Sequence, residues 1–450
     1  MEINKKKLLM IGEVYVDVHL DTIDKISRIG GIFHSARALH STNIQYAMAV
    51  ITPAYLKADI DKYSKLLGAT QYSIIGTVVN CPNVMIINES TEARDQGYLD
   101  VLYCQAITSL DLDELDRLIE EFNPTDILIY PGKYNLLDIL KLLILKNKRI
   151  HIDFQYNSEY LVEFQNHISV DTIILSTSSK VFLDDSNGDS WTLVKLLDGK
   201  TKSVLLKENR GGSRFYLYSS QVWIEAPAFL SKTVHSVGVG DVFNVIFLMS
   251  DNDKQNALKL ASYISSWYAS TYSYDVFYNN MQTLPQISDF IPLLKGVRLK
   301  WEDRRAHHIY IAGPDFPNIN TKSIDDIYES LIYHNFYPHR PVKENGLITG
   351  EEKESDQQLV YDKDIELLNK CSILIAVLIN DDPGTYVEIG WMAHSGRPTI
   401  LYDPSYLANN LFLEKTVSYI CHSLTEVIDT VFKGIRSFEW KPPSFDDLQG

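Results

Sequence analysis

The sequence predicts an α/β protein of two domains, each built on a mainly parallel sheet, and three observations predict it. Short apolar runs alternate with amphipathic, helix-like segments through the first two thirds of the chain. The alternation restarts after a polar, charged stretch around Trp301 to His308. At 450 residues the chain also exceeds what a single hydrophobic core usually serves.

The first run, "KLLMIGEVYVDV", is short, alternates, and carries Glu13 and Asp17, so it reads as an opening strand and not as a signal-peptide core. "TDILIY", "RIHIDFQ", "DTIILST" and "KSVLLKE" read as further buried strands, with helices "LDELDRLIEEF" and "LLDILKLLILKNK" between them. The expected division is a first domain over 1–295, a linker over 296–306 and a second domain over 307–450. The second domain gives strand "IYIAG", helix "TKSIDDIYESLIYHN" and a loop "HRPVKENGLITGEEKESD". A helix starting at Asp364 in "DIELLNKCS", strand "CSILIAVLI", another helix and strand "RPTILYD" follow. The two halves share no repeat.

Composition narrows the function classes. A net charge of −16 argues against extended DNA or RNA binding. Small anionic ligands stay open, because amides at helix ends hold phosphate without a basic surface. Cys81, Cys104, Cys371 and Cys421 lie far apart without CxxC spacing, which argues against zinc and disulfide frameworks and for a reducing, cytoplasmic setting. No apolar stretch reaches the roughly 20 residues of a membrane span.

Chemistry concentrates near the C-terminal strands. Tyr310 lies in "IYIAG", Asp364 precedes "CSILIAVLI", Asp382 follows it, and Glu388 falls in the first turns of the next helix. In open α/β sheets, ligands bind outside the carboxyl ends of strands, where these side chains can converge. Acids at helix N-termini also serve as caps, and Asp381 reads as such a turn residue.

"IYIAGPDF", "DKDIELLNKCSILIAVL" and "DDPGTYVEIGWMAHSGRPTI", in that order and spacing, resemble the nucleoside 2-deoxyribosyltransferase family over roughly residues 307–425. The resemblance implies a flavodoxin- or Rossmann-like domain without a cofactor. It makes Glu388 the nucleophile at the anomeric carbon, Tyr310 the holder of its carboxylate and Asp364 the general acid/base toward the leaving base. Asp382 binds sugar hydroxyls, and an asparagine of a neighbouring subunit, Asn410 before Asn409, completes the site in a homo-oligomer. Such a reaction passes through an oxocarbenium-like state that a carboxylate can trap covalently. The nucleophile must be ionised, which a helix N-terminus favours, whereas Asp364 must hold a proton through a raised pKa. Relatives acting on 5′-monophosphates carry a small hydroxyl residue where Asp382 stands. The aspartate therefore favours nucleosides, with Arg340 and Lys343 as the cations able to offset it.

"GEVYVDV", "RIGGIFHSARAL" and "SVGVGDVFNVIFL" make residues 1 to about 295 resemble the ribokinase-like (PfkB) carbohydrate and nucleoside kinases. The resemblance implies a three-layer α/β/α domain using ATP and Mg. Gly238, Val239 and Gly240 would form the anion hole, Asp241 would be the base, and Asp17, Gly30 and Gly31 would contact the acceptor. Departures from the family pattern stand at His235 (usually Asp), at Ser35 (usually Asn), and at Thr177 and Lys180 in "STSSKVF". "KENRGG" (207–212) matches the nucleotide-binding turn only loosely.

Two readings follow. One is a nucleoside-metabolism enzyme that cleaves or transfers an N-glycosidic bond, fused to a domain that phosphorylates or binds a sugar or nucleoside. The other is a regulated glycosidase effector that depletes nucleotides or NAD, with the first domain a non-catalytic sensor or assembly module.

Overall fold

The computed structural model describes the chain except 1–5, 23–24, 43, 101–104, 156–158, 165–168, 252, 284–287, 349 and 438–450. Cys104 lies outside the described residues. Contacts divide the chain into two compact units: Met1–Thr91 with Gln96–Arg298, and Glu92–Asp95 with Leu299–Gly450. Both are α/β, as the alternation predicts.

The first unit carries a ten-stranded sheet. Its parallel centre runs across from Thr201–Lys207 through Val170–Ser176, Arg149–Asp153, Asp126–Ile129, Lys7–Glu13 and Gln45–Thr52 to Gln71–Val79. Antiparallel strands Ser213–Leu217 and Val222–Ala226 close one edge, and Ile107–Leu110 closes the other. Leu8, Leu9, Met10 and Ile11 are all fully buried, because helices cover both faces of a parallel sheet. The chain order reverses at Lys7–Glu13, which opens a crevice at the carboxyl ends there.

The helices between strands follow from their sequences. Asp111 caps Leu112–Phe122 by accepting from the Glu114 N–H at 2.9 Å, and Asn123 ends it in the left-handed conformation at φ 50°. Leu115, Leu118, Ile119 and Phe122 form its buried stripe.

The run "KLLMIGEVYVDV" is two strands and not one. Lys7–Glu13 belongs to the large sheet, while Val16–His19 joins a four-stranded sheet with Ile26–Ile29, Val84–Ile87 and Leu99–Asp100. The backbone changes partner between them: the Val14 N–H donates to Ile51, and the Val16 N–H donates to Asn83. Period-two alternation marks extended chain but does not say which sheet takes it.

The second unit holds a five-stranded, all-parallel sheet. Across the sheet the order is Tyr337–His339, His308–Ala312, Ile373–Val377, Thr399–Tyr402 and Tyr419–Cys421. The first strand in sequence thus lies second, and the crevice falls between His308–Ala312 and Ile373–Val377. Within the expected linker, Val297 bridges Ala228, and Trp301 and Arg304 are buried. Glu92–Asp95 pack within this unit: Ala93 is buried, and its carbonyl lies 3.0 Å from His334 Nε2. Tyr333 donates to Glu92 at 2.8 Å, and Arg94 pairs with Asp326 at 2.7 Å.

Two expected boundaries move. The helix containing Asp364 spans Glu354–Lys370, so Asp364 lies in its interior. "ESDQQLVYDK" lacks Gly and Pro and simply continues the helix backward, despite its polarity. The loop before it also contains a short helix, Pro341–Asn345. Among the described residues no helix is long and apolar enough to cross a membrane.

Candidate active sites

In the second unit, strand His308–Ala312 delivers Tyr310 into a fully buried position, in register with Leu374. Helix Pro383–His394 delivers Glu388. Thr385, Ile389 and Met392 form its buried stripe, and Glu388 lies at the same helical spacing. The Tyr310 hydroxyl donates to Glu388 Oε1 at 2.5 Å. Desolvation and the neighbouring Glu388 and Asp364 charges raise the Tyr310 pKa, so the phenol stays a donor.

Glu388 falls in the second turn of its helix, among the first turns as the sequence suggested but past the N-terminal one. The helix dipole fades over that distance, so it does little to ionise the carboxyl. Burial instead pushes the Glu388 pKa up to about 7. The Tyr310 hydrogen bond pulls it down, while the Asp364 and Asp382 charges push it higher. At neutral pH the group is therefore divided between its two protonation states.

Asp364 is half-buried and raised above the ordinary aspartate value, chiefly by desolvation. The Asn345 side-chain amide donates to its Oδ1 at 2.7 Å and opposes the rise. Sequence reasoning missed Asn345, which lies in the expected loop.

Asp382 caps the helix: its Oδ2 accepts from the Thr385 N–H at 3.1 Å and from the Thr385 hydroxyl at 2.6 Å. Pro383 at the first helical position presets the turn. Tyr310, Asp364, Asp382 and Glu388 thus sit close enough for their charges to act on one group.

Asn410 caps a separate helix, Leu411–Thr416, accepting from Phe412 and Leu413 at 2.9 and 3.2 Å. Within its own chain, its side-chain oxygen is spent on that cap. Leu411 and Phe412 beside it are 70% and 83% exposed.

Arg340 is not free to offset Asp382. It grips Asp315 with two bonds at 2.8 and 2.9 Å and Asp325 at 2.7 Å. Lys343 is exposed, with its Nζ 3.9 Å from Asp315. The buried Asp315 partner was not singled out from sequence.

In the first unit, Gly238 starts helix Val239–Met249 at φ 77°, which a larger residue adopts at a cost. Gly240 lies beside Lys207, where an added Cβ would stand 3.2 Å from Nζ. Val239 and Asp241 occupy the first turn. Burial and the Asp153 charge push the Asp241 pKa up to about 8, Lys207 opposes them, and Asp17 adds to the rise. Lys207, Asp153 and Asn244, none of them predicted as site residues, form a cluster. Asn244 donates to Asp153 at 2.8 Å, and Lys207 reaches Asn244 at 3.1 Å and Asp153 at 3.4 Å.

Asp17 is buried and accepts from His34 Nε2 at 2.9 Å. Gly30 lies directly against it, and an added Cβ there would fall 2.1 Å from Asp17 Oδ2. Gly31 turns at φ 61°, and an added Cβ there would fall 2.2 Å from the Glu13 carbonyl oxygen. At the departures from the family pattern, His235 is buried with Nε2 3.0 Å from the Thr271 carbonyl. Ser35 donates to the Asp241 carbonyl at 3.0 Å, Thr177 is buried and Lys180 is exposed. In 207–212, Glu208 is buried between Arg214 and Arg298 at 2.7 and 2.9 Å. Among the described residues no group of three His, Cys, Asp or Glu could hold a metal ion.

Comparison with solved structures finds similarity over the larger part of the chain. A Xylella fastidiosa fructokinase with bound ATP is 13% identical over 63% of this chain and 99% of its own, with a TM-score of 0.47. Arabidopsis thaliana ribokinase complexed with ribose and ATP is 13% identical over 62% of this chain and 98% of its own, at 0.45. Thermotoga maritima ribokinase is 15% identical over 62% and 99%, at 0.46. No curated protein matches the chain. Residues 309–419, which carry Tyr310, Asp364, Asp382, Glu388 and Asn410, match the family model described as nucleoside 2-deoxyribosyltransferase.

Proposed function

We propose that the second unit cleaves or transfers the N-glycosidic bond of a nucleoside or deoxynucleoside. The buried Tyr310–Glu388 hydrogen bond at 2.5 Å, with Asp364 and Asp382 acting on the same carboxyl, carries this reading. Tyr310 fixes the carboxylate, which attacks C1′ as the C1′–N bond breaks. Asp364 gives its proton to the departing base. A second base or water then displaces Glu388 from C1′ and returns a proton to Asp364. Asp382 orients the sugar with the oxygen not used in the cap. Because Arg340 is already ion-paired, it is not free to meet a 5′-phosphate, which favours nucleosides.

The exposed Leu411 and Phe412 support a homo-oligomer in which a neighbouring Asn410 completes the site. The first unit binds or phosphorylates a sugar or nucleoside. Gly238, Val239 and Gly240 present amides to a nucleotide phosphate, with Lys207 adjacent, and Asp241 takes the acceptor proton. ATP would supply the phosphoryl group there.

Incubating the full-length protein with deoxynucleosides, with and without a second free base, tests the reading. Base exchange marks a transferase and free sugar a hydrolase. Turnover unchanged in Glu388→Ala refutes the assignment.

A further inference from the structure

His34 was not singled out from sequence, yet it stands at the centre of the first unit's acceptor end. It is the second residue of helix Phe33–Thr42 and is 2% exposed. Both ring nitrogens are held: Nε2 lies 2.9 Å from Asp17 Oδ2, and Nδ1 lies 2.7 Å from the Tyr268 hydroxyl. An added Cβ at Gly238 would fall 2.1 Å from His34 Cγ. The ring therefore lies against the glycine turn that opens the helix of Asp241, with the Asp17 carboxylate at its far edge.

Burial lowers the His34 pKa to about 4, against the opposing pull of Asp17, so the ring is neutral at ordinary pH. A neutral imidazole offers one donor and one acceptor. The Asp17 carboxyl accepts at Oδ2, so the proton sits on Nε2 and Nδ1 accepts from Tyr268. Both polar ends are satisfied, and the ring has no unmet bond to draw it out.

The remaining groups of the site surround this ring. Asp17 acts on Asp241 electrostatically, and Ser35, next to His34, donates to the Asp241 carbonyl at 3.0 Å. The imidazole thus fills the space between Asp17 Oδ2 and the glycine turn that opens the helix of Asp241.

We propose that His34 is a built-in occupant of the polyol position in the first unit. Its ring takes the Asp17 Oδ2 bond that a sugar or nucleoside hydroxyl would need, so the native site holds such an acceptor only where the ring gives up that bond. The inference rests on reading Asp17 and Asp241 as the acceptor end, as above. One side chain then sets how tightly the site takes a polyol.

Calorimetric titration of the full-length protein with ribose, fructose and adenosine at millimolar concentration tests it. Wild type should bind each of them weakly. His34→Ala should bind at least one of the three, at least about tenfold more tightly than wild type. Adding Asp17→Asn to that variant should remove the gain. Tyr268→Phe, which frees only Nδ1, should give a smaller gain and serves if His34→Ala does not fold. Wild-type binding that matches either variant overturns the proposal, as does a folded His34→Ala without gain. Thermal stabilisation by ATP with magnesium reads the glycine turn separately: its absence in every variant faults the reading of the unit, whereas acceptor binding by wild type as tight as by His34→Ala faults the role of His34.

Discussion

The Tyr310 hydroxyl donates to Glu388 Oε1 at 2.5 Å from a fully buried position in the first strand of the five-stranded sheet. A bond to an ionisable carboxyl differs in strength between its two charge states, so it sets orientation and proton affinity together. Tyr310→Phe should lower kcat/KM by about 10- to 100-fold, the value of a lost hydrogen bond to a charged group. Glu388→Gln should abolish turnover while leaving the fold intact. Steady-state kinetics with a deoxynucleoside and an acceptor base checks both.

The two raised carboxyls predict a bell-shaped pH profile for kcat/KM. Glu388 sits at about 7, and Asp364 is raised by desolvation. The active form has Glu388 ionised and Asp364 protonated, and its two limbs belong to the coupled pair. Tyr310 holds the Glu388 pKa down, so Tyr310→Phe should move the alkaline limb to higher pH and reduce the maximum. Both limbs unmoved in that variant would separate Tyr310 from the titrating pair.

Stability should depend on the same group, with a fixed sign. Folded Glu388 keeps its proton to about pH 7, whereas the unfolded chain releases it near 4.5. Between those values the folded state binds more protons, so stability falls as pH rises and levels off above the folded pKa. The loss should reach up to about 3 kcal/mol, and Glu388→Gln should remove it. Urea unfolding of both proteins at about pH 5 and about pH 8 reads the difference.

Asp382 has a structural task and a proposed substrate task, and substitutions can divide them. Asp382→Ala removes the bonds to Thr385 and should cost about 1 kcal/mol of stability. Asp382→Ser keeps a cap and should hold the melting temperature, yet raise KM for nucleosides and admit 5′-monophosphates better. Melting curves paired with kinetics on both substrates separate the effects.

The exposed Leu411 and Phe412 should lie at a subunit interface. Phe412→Asp should reduce the mass seen by light scattering in size-exclusion chromatography. Activity should fall with it, because Asn410 would no longer reach a neighbouring Glu388.

The regular elements were legible because their signals are local, whereas the pairing of Tyr310 with Glu388 was legible only through the family resemblance of the blocks that carry them. Apolar runs such as "CSILIAVLI" give buried strands, and short blocks carry the acidic residues at recognisable spacing. What was illegible depends on partners distant in sequence. Alternation in "KLLMIGEVYVDV" did not tell that Asp17 leaves the large sheet, since that follows from the Val16 bond to Asn83. Arg340 looked available until Asp315 and Asp325 closed on it. The Glu388 proton affinity comes from burial, which no helix position reveals. His34 gave no sign, because its meaning lies in Asp17, Tyr268 and Gly238 together.

Glu92–Asp95 count with the second unit although the chain on either side of them belongs to the first. A single cut after Arg298 therefore does not yield two self-sufficient products. The C-terminal piece would lose the buried Ala93 and the bonds that Glu92 and Arg94 make to Tyr333 and Asp326. The N-terminal piece would carry that segment without its surroundings. Inheritance of the two units as one polypeptide is in this sense written into the threading of the chain, and dissecting them calls for a redesigned segment as well as a scissor site.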